Sequence, residues 1–126
     1  MLCDTTFLIH YAGQRGKAAQ VAAREFAESH QDLPLYASRV SWAEFAEGCE
    51  TRADVERLLA NFTILEIDED IAWLAARIAR SLDRRGLPVG DNDVWIAATT
   101  LAYGTAIVTR NVGHFKRIPG LKVAEY

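Results

Sequence analysis

Three carboxylates, Asp4, Glu44 and Asp93, are the side chains of this sequence best placed to do chemistry. Asp4 ends the short apolar run Met1-Leu2-Cys3. A carboxylate there sits at the border of a core, where desolvation is costly unless something pairs with it. Glu44 stands three residues after Ser41, in the first turn of a helix, and Asp93 opens a very apolar stretch running to Tyr103. Each has a plain structural explanation. Ser41-Trp42-Ala43-Glu44 fits a capping box, Asp91 and Asp93 suit a helix N-terminus whatever the function, and Asp4 can cap the helix carrying Phe7. Gathered at one edge, however, three carboxylates raise one another's pKa unless a cation neutralises them. A hard divalent ion suits such a place. Mg²⁺ prefers oxygen ligands, keeps several waters and uses one or two carboxylates plus a substrate phosphate. An ion so held polarises phosphoryl oxygens and supplies hydroxide at neutral pH, so no protein nucleophile is needed. The sequence carries no serine–histidine–aspartate arrangement, P-loop or histidine cluster, and His10, His30 and His114 read as scattered surface positions.

The elements that must position these residues follow from the apolar pattern. Strands are expected at residues 1–3, 35–37, 63–67, 106–109 and 122–124. A short helix capped by Thr5 or Thr6 stops at Gly13, and another covers Lys17 to Ser29. Ser41 opens a third, Thr51 caps a fourth reaching about Asn61, and Asp68 caps a long one ended by Gly86. Within that long helix Ile71, Leu74, Ala75, Ile78 and Leu82 form one buried face. Asp91 or Asn92 caps the next, which Gly104 closes. Strands alternating with helices predict an α/β sandwich around a mostly parallel sheet. Ligands of such sheets bind outside the carboxyl ends of the strands. Asp4, Glu44, Asp93 and Asn111 are all expected near that edge.

The bulk properties agree with one ordinary globular domain over residues 1–126, half hydrophobic and a quarter charged. No apolar run approaches the roughly 18 residues of a membrane span, and the N-terminus lacks the pattern of a signal peptide. Cys3 and Cys49 fit neither a disulfide framework nor a metal pair, and two free thiols suit a cytoplasmic protein. The net charge of −3 argues against a protein that coats nucleic acid, though not against an enzyme acting on it. Two local basic runs, Arg77 to Arg85 and Arg110 to Arg117, read as solvated faces.

The chain resembles the PIN-domain ribonucleases, and within them the VapC toxins of type II toxin–antitoxin pairs. The matching segments are Asp4-Thr5-Thr6-Phe7-Leu8-Ile9, Ser41-Trp42-Ala43-Glu44-Phe45-Ala46-Glu47-Gly48 and Gly90-Asp91-Asn92-Asp93-Val94-Trp95-Ile96-Ala97-Ala98-Thr99. Ile107-Val108-Thr109-Arg110-Asn111, His114-Phe115 and Pro119-Gly120-Leu121-Lys122-Val123 follow in family order. The resemblance implies a PIN-like three-layer α/β/α sandwich, dependence on Mg²⁺ or Mn²⁺, and hydrolysis of single-stranded or looped RNA. It implies that Asp4, Glu44 and Asp93 bind the metal, with Asp91 an extra acid that can support the site. Thr5 and Thr109 would be hydroxyls that orient carboxylates or water. The family's fourth acidic position falls on Asn111, which adds no charge, so a second metal is conditional on substrate. The resemblance further implies a cognate antitoxin and a homodimer or toxin–antitoxin hetero-oligomer. Phe7, Leu8, Tyr11 and Phe26 would serve either that interface or the core.

Two other functions are open to the same residues. A phosphotransferase using Asp4 as covalent nucleophile wants a second aspartate two positions on, where Thr6 stands. A catalytically weak PIN-like module that binds RNA or protein is the other, favoured by Asn111 and disfavoured by the intact Asp4, Glu44 and Asp93.

Overall fold

The computed structural model describes all residues, 1–126, of the chain. Five strands, β1 (Leu2–Cys3), β2 (Tyr36–Ser38), β3 (Thr63–Leu65), β4 (Ala106–Val108) and β5 (Lys122–Ala124), form one sheet in the order β3-β2-β1-β4-β5. Every pairing is parallel, with Leu2 opposite Tyr36 and Ile107, and Cys3 opposite Ala37 and Val108. Between the strands run α1 (Thr5–Tyr11), α2 (Lys17–Ser29), α3 (Arg39–Ala46), α4 (Arg52–Leu58), α5 (Glu69–Arg84), α6 (Asp91–Ala102) and α7 (Val112–Phe115). No helix is long and apolar enough to cross a membrane.

Alternation along the strands divides the core into two. Leu2, Leu65 and Ile107 face one cluster with Ile71, Ile78 and Leu82 of α5 and Val94, Ile96 and Ala97 of α6. Cys3, Ala37 and Val108 face the other, with Phe7 and Leu8 of α1, Phe45 of α3 and Val55 of α4. Helices on both faces of a parallel sheet make the three-layer sandwich expected of the sequence. Phe7 and Leu8 are wholly buried and belong to the core rather than to a free surface.

Two helix starts differ from the expectation and a third, that of α1, takes one of the caps left open, and each bears on the site. Asp4, not Thr5 or Thr6, caps α1, accepting from the Phe7 amide. Ser38, not Ser41, caps α3, its hydroxyl accepting from the Ser41 amide at 2.9 Å. The helix therefore begins earlier, Glu44 falls beyond its first turn, and the capping box does not form. Gly90, with no side chain to offer, stands at the cap of α6 in place of Asp91 or Asn92. The Thr51 and Asp68 caps lie where the sequence puts them. The four-residue α7 was not expected; it is too short to show a hydrophobic period.

Candidate active site

The strand order reverses about β1, so the crevice beyond the carboxyl ends of β1 and β4 is where ligands of such a sheet bind. Asp4 follows β1 directly, and its amide donates to the Val108 carbonyl at 3.1 Å, tying it to β4. Its side chain is 5% exposed. Oδ1 accepts from the Phe7 amide at 2.7 Å and Oδ2 from the Thr109 hydroxyl at 2.5 Å. Thr109, itself fully buried just past β4, also accepts from the Asn111 amide at 2.8 Å. Burial pushes the Asp4 carboxyl up to about 6, and the charges of Asp93 and Glu44 add to the rise. The Thr109 and Phe7 hydrogen bonds oppose that rise without cancelling it.

Glu44 reaches the same edge from α3. Freed from capping duty, it accepts from the Thr5 hydroxyl at Oε2 and from the Asn92 amide nitrogen, 2.8 Å away, at Oε1. Asp93 comes from the first turn of α6 and is half-buried. Its carboxyl is raised by burial, with a smaller push from Glu44, and is drawn back down by His114. The His114 Nδ1 lies 3.6 Å from Asp93 Oδ2 and 2.7 Å from the Asn111 amide nitrogen. Asp4, Glu44 and Asp93 thus act on one another electrostatically, Thr5 and Thr109 hold carboxylates, and Asn111 stands at the outer rim. Asp91 is elsewhere. It lines a groove against Ala72, Ala75 and Ala79 of α5, because two helical steps turn it about 200° away from Asp93.

No three of the His, Cys, Asp and Glu side chains stand close enough to share one ion. Glu44 is held off by Thr5 and Asn92, and Asp93 leans toward His114. The donor set nevertheless suits a Mg²⁺-type ion. All its ligands are oxygens, each Asp4 oxygen accepts one bond and keeps a lone pair, and such an ion needs only one or two direct carboxylates. An open groove of about 690 Å³, bordered by Thr5, Ile9, Arg15 and Glu44, runs along the Glu44 side of the site. A larger one of about 760 Å³ lies among α1, α2 and α4 and contains none of these carboxylates.

A PIN-domain family model matches residues 1–121. Ribonuclease VapC10 of Mycobacterium tuberculosis is 39% identical over 105 residues, covering 81% of this chain and 79% of the relative. The chain belongs to the PIN-domain family, on its VapC branch. Ribonuclease VapC1 of Haemophilus influenzae is 27% identical over 128 residues, covering 96% of this chain and 93% of the relative. Among solved structures, the DNA-bound VapBC of Salmonella typhimurium superposes with a TM-score of 0.78 at 27% identity, over 98% of this chain and 96% of that one.

Two polar contacts of this PIN domain escaped the sequence. Asn92 reads as a helix cap but faces Glu44, and only the register of α6 decides between the two. His114 reads as a surface histidine but flanks Asp93. Its signal was its place three residues after Val-Thr-Arg-Asn, on the short α7 that follows β4.

Proposed function

We propose that residues 1–126 form a single PIN domain that serves as the toxin of a type II toxin–antitoxin pair. In this reading it hydrolyses RNA phosphodiester bonds with Mg²⁺ or Mn²⁺. The observation that carries it is that Asp4, Glu44 and Asp93 lie near enough at the strand-order reversal to act on one another's charge, with Asp4 buried and its carboxyl raised to about 6. Uncompensated negative charge of this kind calls for a cation. The relatives named ribonucleases lend the reaction class, and the VapBC complexes lend the partner, a cognate antitoxin. Assembly is then as a homodimer or a toxin–antitoxin hetero-oligomer.

Asp4, Asp93 and Glu44 would hold the ion, one or two of them directly and the rest through its waters, since the three stand too far apart to bind it together. When bound, it supplies polarisation of a phosphoryl oxygen and a hydroxide at neutral pH. The chain's own part is orientation. The Phe7 amide and the Thr109 hydroxyl fix the plane of the Asp4 carboxylate, while Thr5 and Asn92 fix that of Glu44. Asn111 brings an amide rather than a fourth charge, so a second ion depends on the substrate's own phosphate.

The test is to incubate the protein with structured and unstructured RNAs in Mg²⁺, in Mn²⁺ and in EDTA. Cleavage is expected with either metal, to stop in EDTA, and to be lost in Asp4→Ala and Asp93→Asn. Metal-independent cleavage, or cleavage undiminished in those variants, overturns the mechanism. The wider spacing of the carboxylates favours one second reading, a catalytically weak module that binds RNA or protein. RNA binding without metal-stimulated cleavage would support it.

A further inference from the structure

The two basic runs that lie apart in the sequence meet in the fold. Arg85, at the end of α5, donates from Nη1 to the Arg117 carbonyl at 3.0 Å. Arg117, just beyond α7, donates from Nη1 to the Pro88 carbonyl at 2.7 Å. A left-handed Gly86 (φ 62°) turns the chain between α5 and this loop. The junction is therefore built by the arginines themselves, each holding a neutral acceptor.

Neutral acceptors orient a guanidinium without cancelling its charge. The ion pairs of the protein are Arg39–Glu66, Arg52–Glu56 and Arg57–Asp54. Arg84, Arg85, Lys116 and Arg117 enter none of them, and exposed Asp83 nearby pairs with none of the four. Each guanidinium has five N–H donors in a planar fork, so most remain open after one carbonyl bond. In a chain of net charge −3 this is a patch of unpaired positive charge in which the Arg85 and Arg117 heads are already placed.

Its position gives it a meaning. Arg117 lies three residues past His114, which flanks Asp93, so their backbones are at most about 11 Å apart. The loop that Arg117 grips runs straight into α6, which carries Asn92 and Asp93. Acid at the strand ends and free cations beside it form a sign pattern suited to an extended polyanion, one phosphate meeting the metal and its neighbours meeting arginine.

We infer that the Arg85–Arg117 junction, with Lys116, binds the phosphodiester backbone of the RNA flanking the cleaved bond. This rests on the RNA-hydrolase reading above. The measurement is anisotropy of a fluorescein-labelled single-stranded RNA of mixed sequence, titrated with the full chain in EDTA across a series of KCl concentrations. Arg85→Ala with Arg117→Ala is expected to weaken binding about tenfold and to flatten the plot of log affinity against log salt by about 1.4, two phosphate contacts' worth. Lys116→Ala disturbs no recorded hydrogen bond and should flatten it by about 0.7 without changing the melting temperature. Slopes and affinities equal to the parent protein in both variants overturn the inference. So does a loss confined to a poly-glutamate probe, which would give the patch to an acidic polypeptide instead. If the parent protein cleaves RNA but the variants bind it normally, this inference alone fails. If the parent protein neither binds nor cleaves RNA, the function above fails and takes this inference with it.

Discussion

The inner and outer walls of the carboxylate site are built on opposite terms. The inner wall is Asp4, one residue past a central strand, buried, and held by a main-chain amide and a buried hydroxyl. The outer wall is Glu44 and Asp93, both on helices, partly exposed, and held by Thr5, Asn92 and His114. Strand ends are fixed by the ladder on both sides, whereas helix side chains depend on register and on their neighbours' rotamers. The inner carboxylate is therefore preorganised at a cost in stability, and the outer ones are adjustable at little cost. A charge kept where burial opposes it marks a place shaped by what binds there rather than by folding alone.

The sharpest way to break this contrast is Asp4→Asn, with the largest expected effect. Under the proposed function RNA cleavage should fall by more than about 100-fold, because Asp4 is there the proposed ligand rather than a group that orients one. Stability should move the other way. The folded Asp4 carboxyl lies at about 6, above its ordinary value of 3.8. Between those values the native state holds a proton that the unfolded chain has released, so stability is highest in acid and falls as pH rises through 6. Above that the ionised group costs about 3 kcal/mol in the metal-free protein. Calorimetry in EDTA should then show Asp4→Asn melting higher than the parent at about pH 7.5 and equal to it only below the ordinary carboxyl value, at about pH 3. Saturating Mg²⁺ should raise the melting temperature of the parent and leave the variant where it is. A variant less stable than the parent at both pH values would mean that Asp4 is an ordinary cap.

Thr109→Val tests the same wall from behind, with the next largest effect. The swap keeps the shape but removes the O–H given to Asp4 and the oxygen that receives the Asn111 amide. Metal affinity by titration calorimetry should drop 10- to 100-fold. Unlike Asp4→Asn, this change should lower stability, by about 1–3 kcal/mol, because it leaves a buried acceptor unpaired. Opposite signs in stability from two adjacent losses of activity would establish that the carboxylate, not its partner, carries the strain. Equal signs would remove the distinction between wall and support.

The two walls were also unequally legible in the sequence. Asp4 was readable because a carboxylate after an apolar strand has few places to go, and the parallel sheet then fixes it at the carboxyl edge. The five strands were readable from short apolar and β-branched runs, the long helices from their periods, and the Thr51 and Asp68 caps from residue type. Glu44 was harder. Ser38 and Ser41 both suit a helix start, and only the tertiary choice of Ser38 releases Glu44 from a capping box. At α6, Asp91, Asn92 and Asp93 are three polar residues in a row, and local chemistry cannot say which one faces inward. Packing of α6 against α5 decides it, turning Asp91 to the α5 groove and leaving Asn92 toward Glu44. His114 sits on a helix too short to carry a pattern at all.

Asn92→Ala gives the smallest expected effect and tests whether the outer wall is as adjustable as its geometry implies. The amide it removes is exposed, and Glu44 keeps its bond from the Thr5 hydroxyl. A typical intramolecular hydrogen bond contributes about 0.5–1.5 kcal/mol net, and at this exposed site water replaces the lost donor. Cleavage in saturating Mg²⁺ should fall no more than about fivefold, with stability within about 0.5 kcal/mol of the parent. Thr5→Val added to it strips Glu44 of both recorded partners, so the pair should cost more than the sum of the single changes, since either partner alone can still orient the carboxylate. Additive losses would mean that each partner holds one oxygen independently. A large loss from Asn92→Ala alone would make the outer wall as rigid as the inner one, and the contrast between them would not stand.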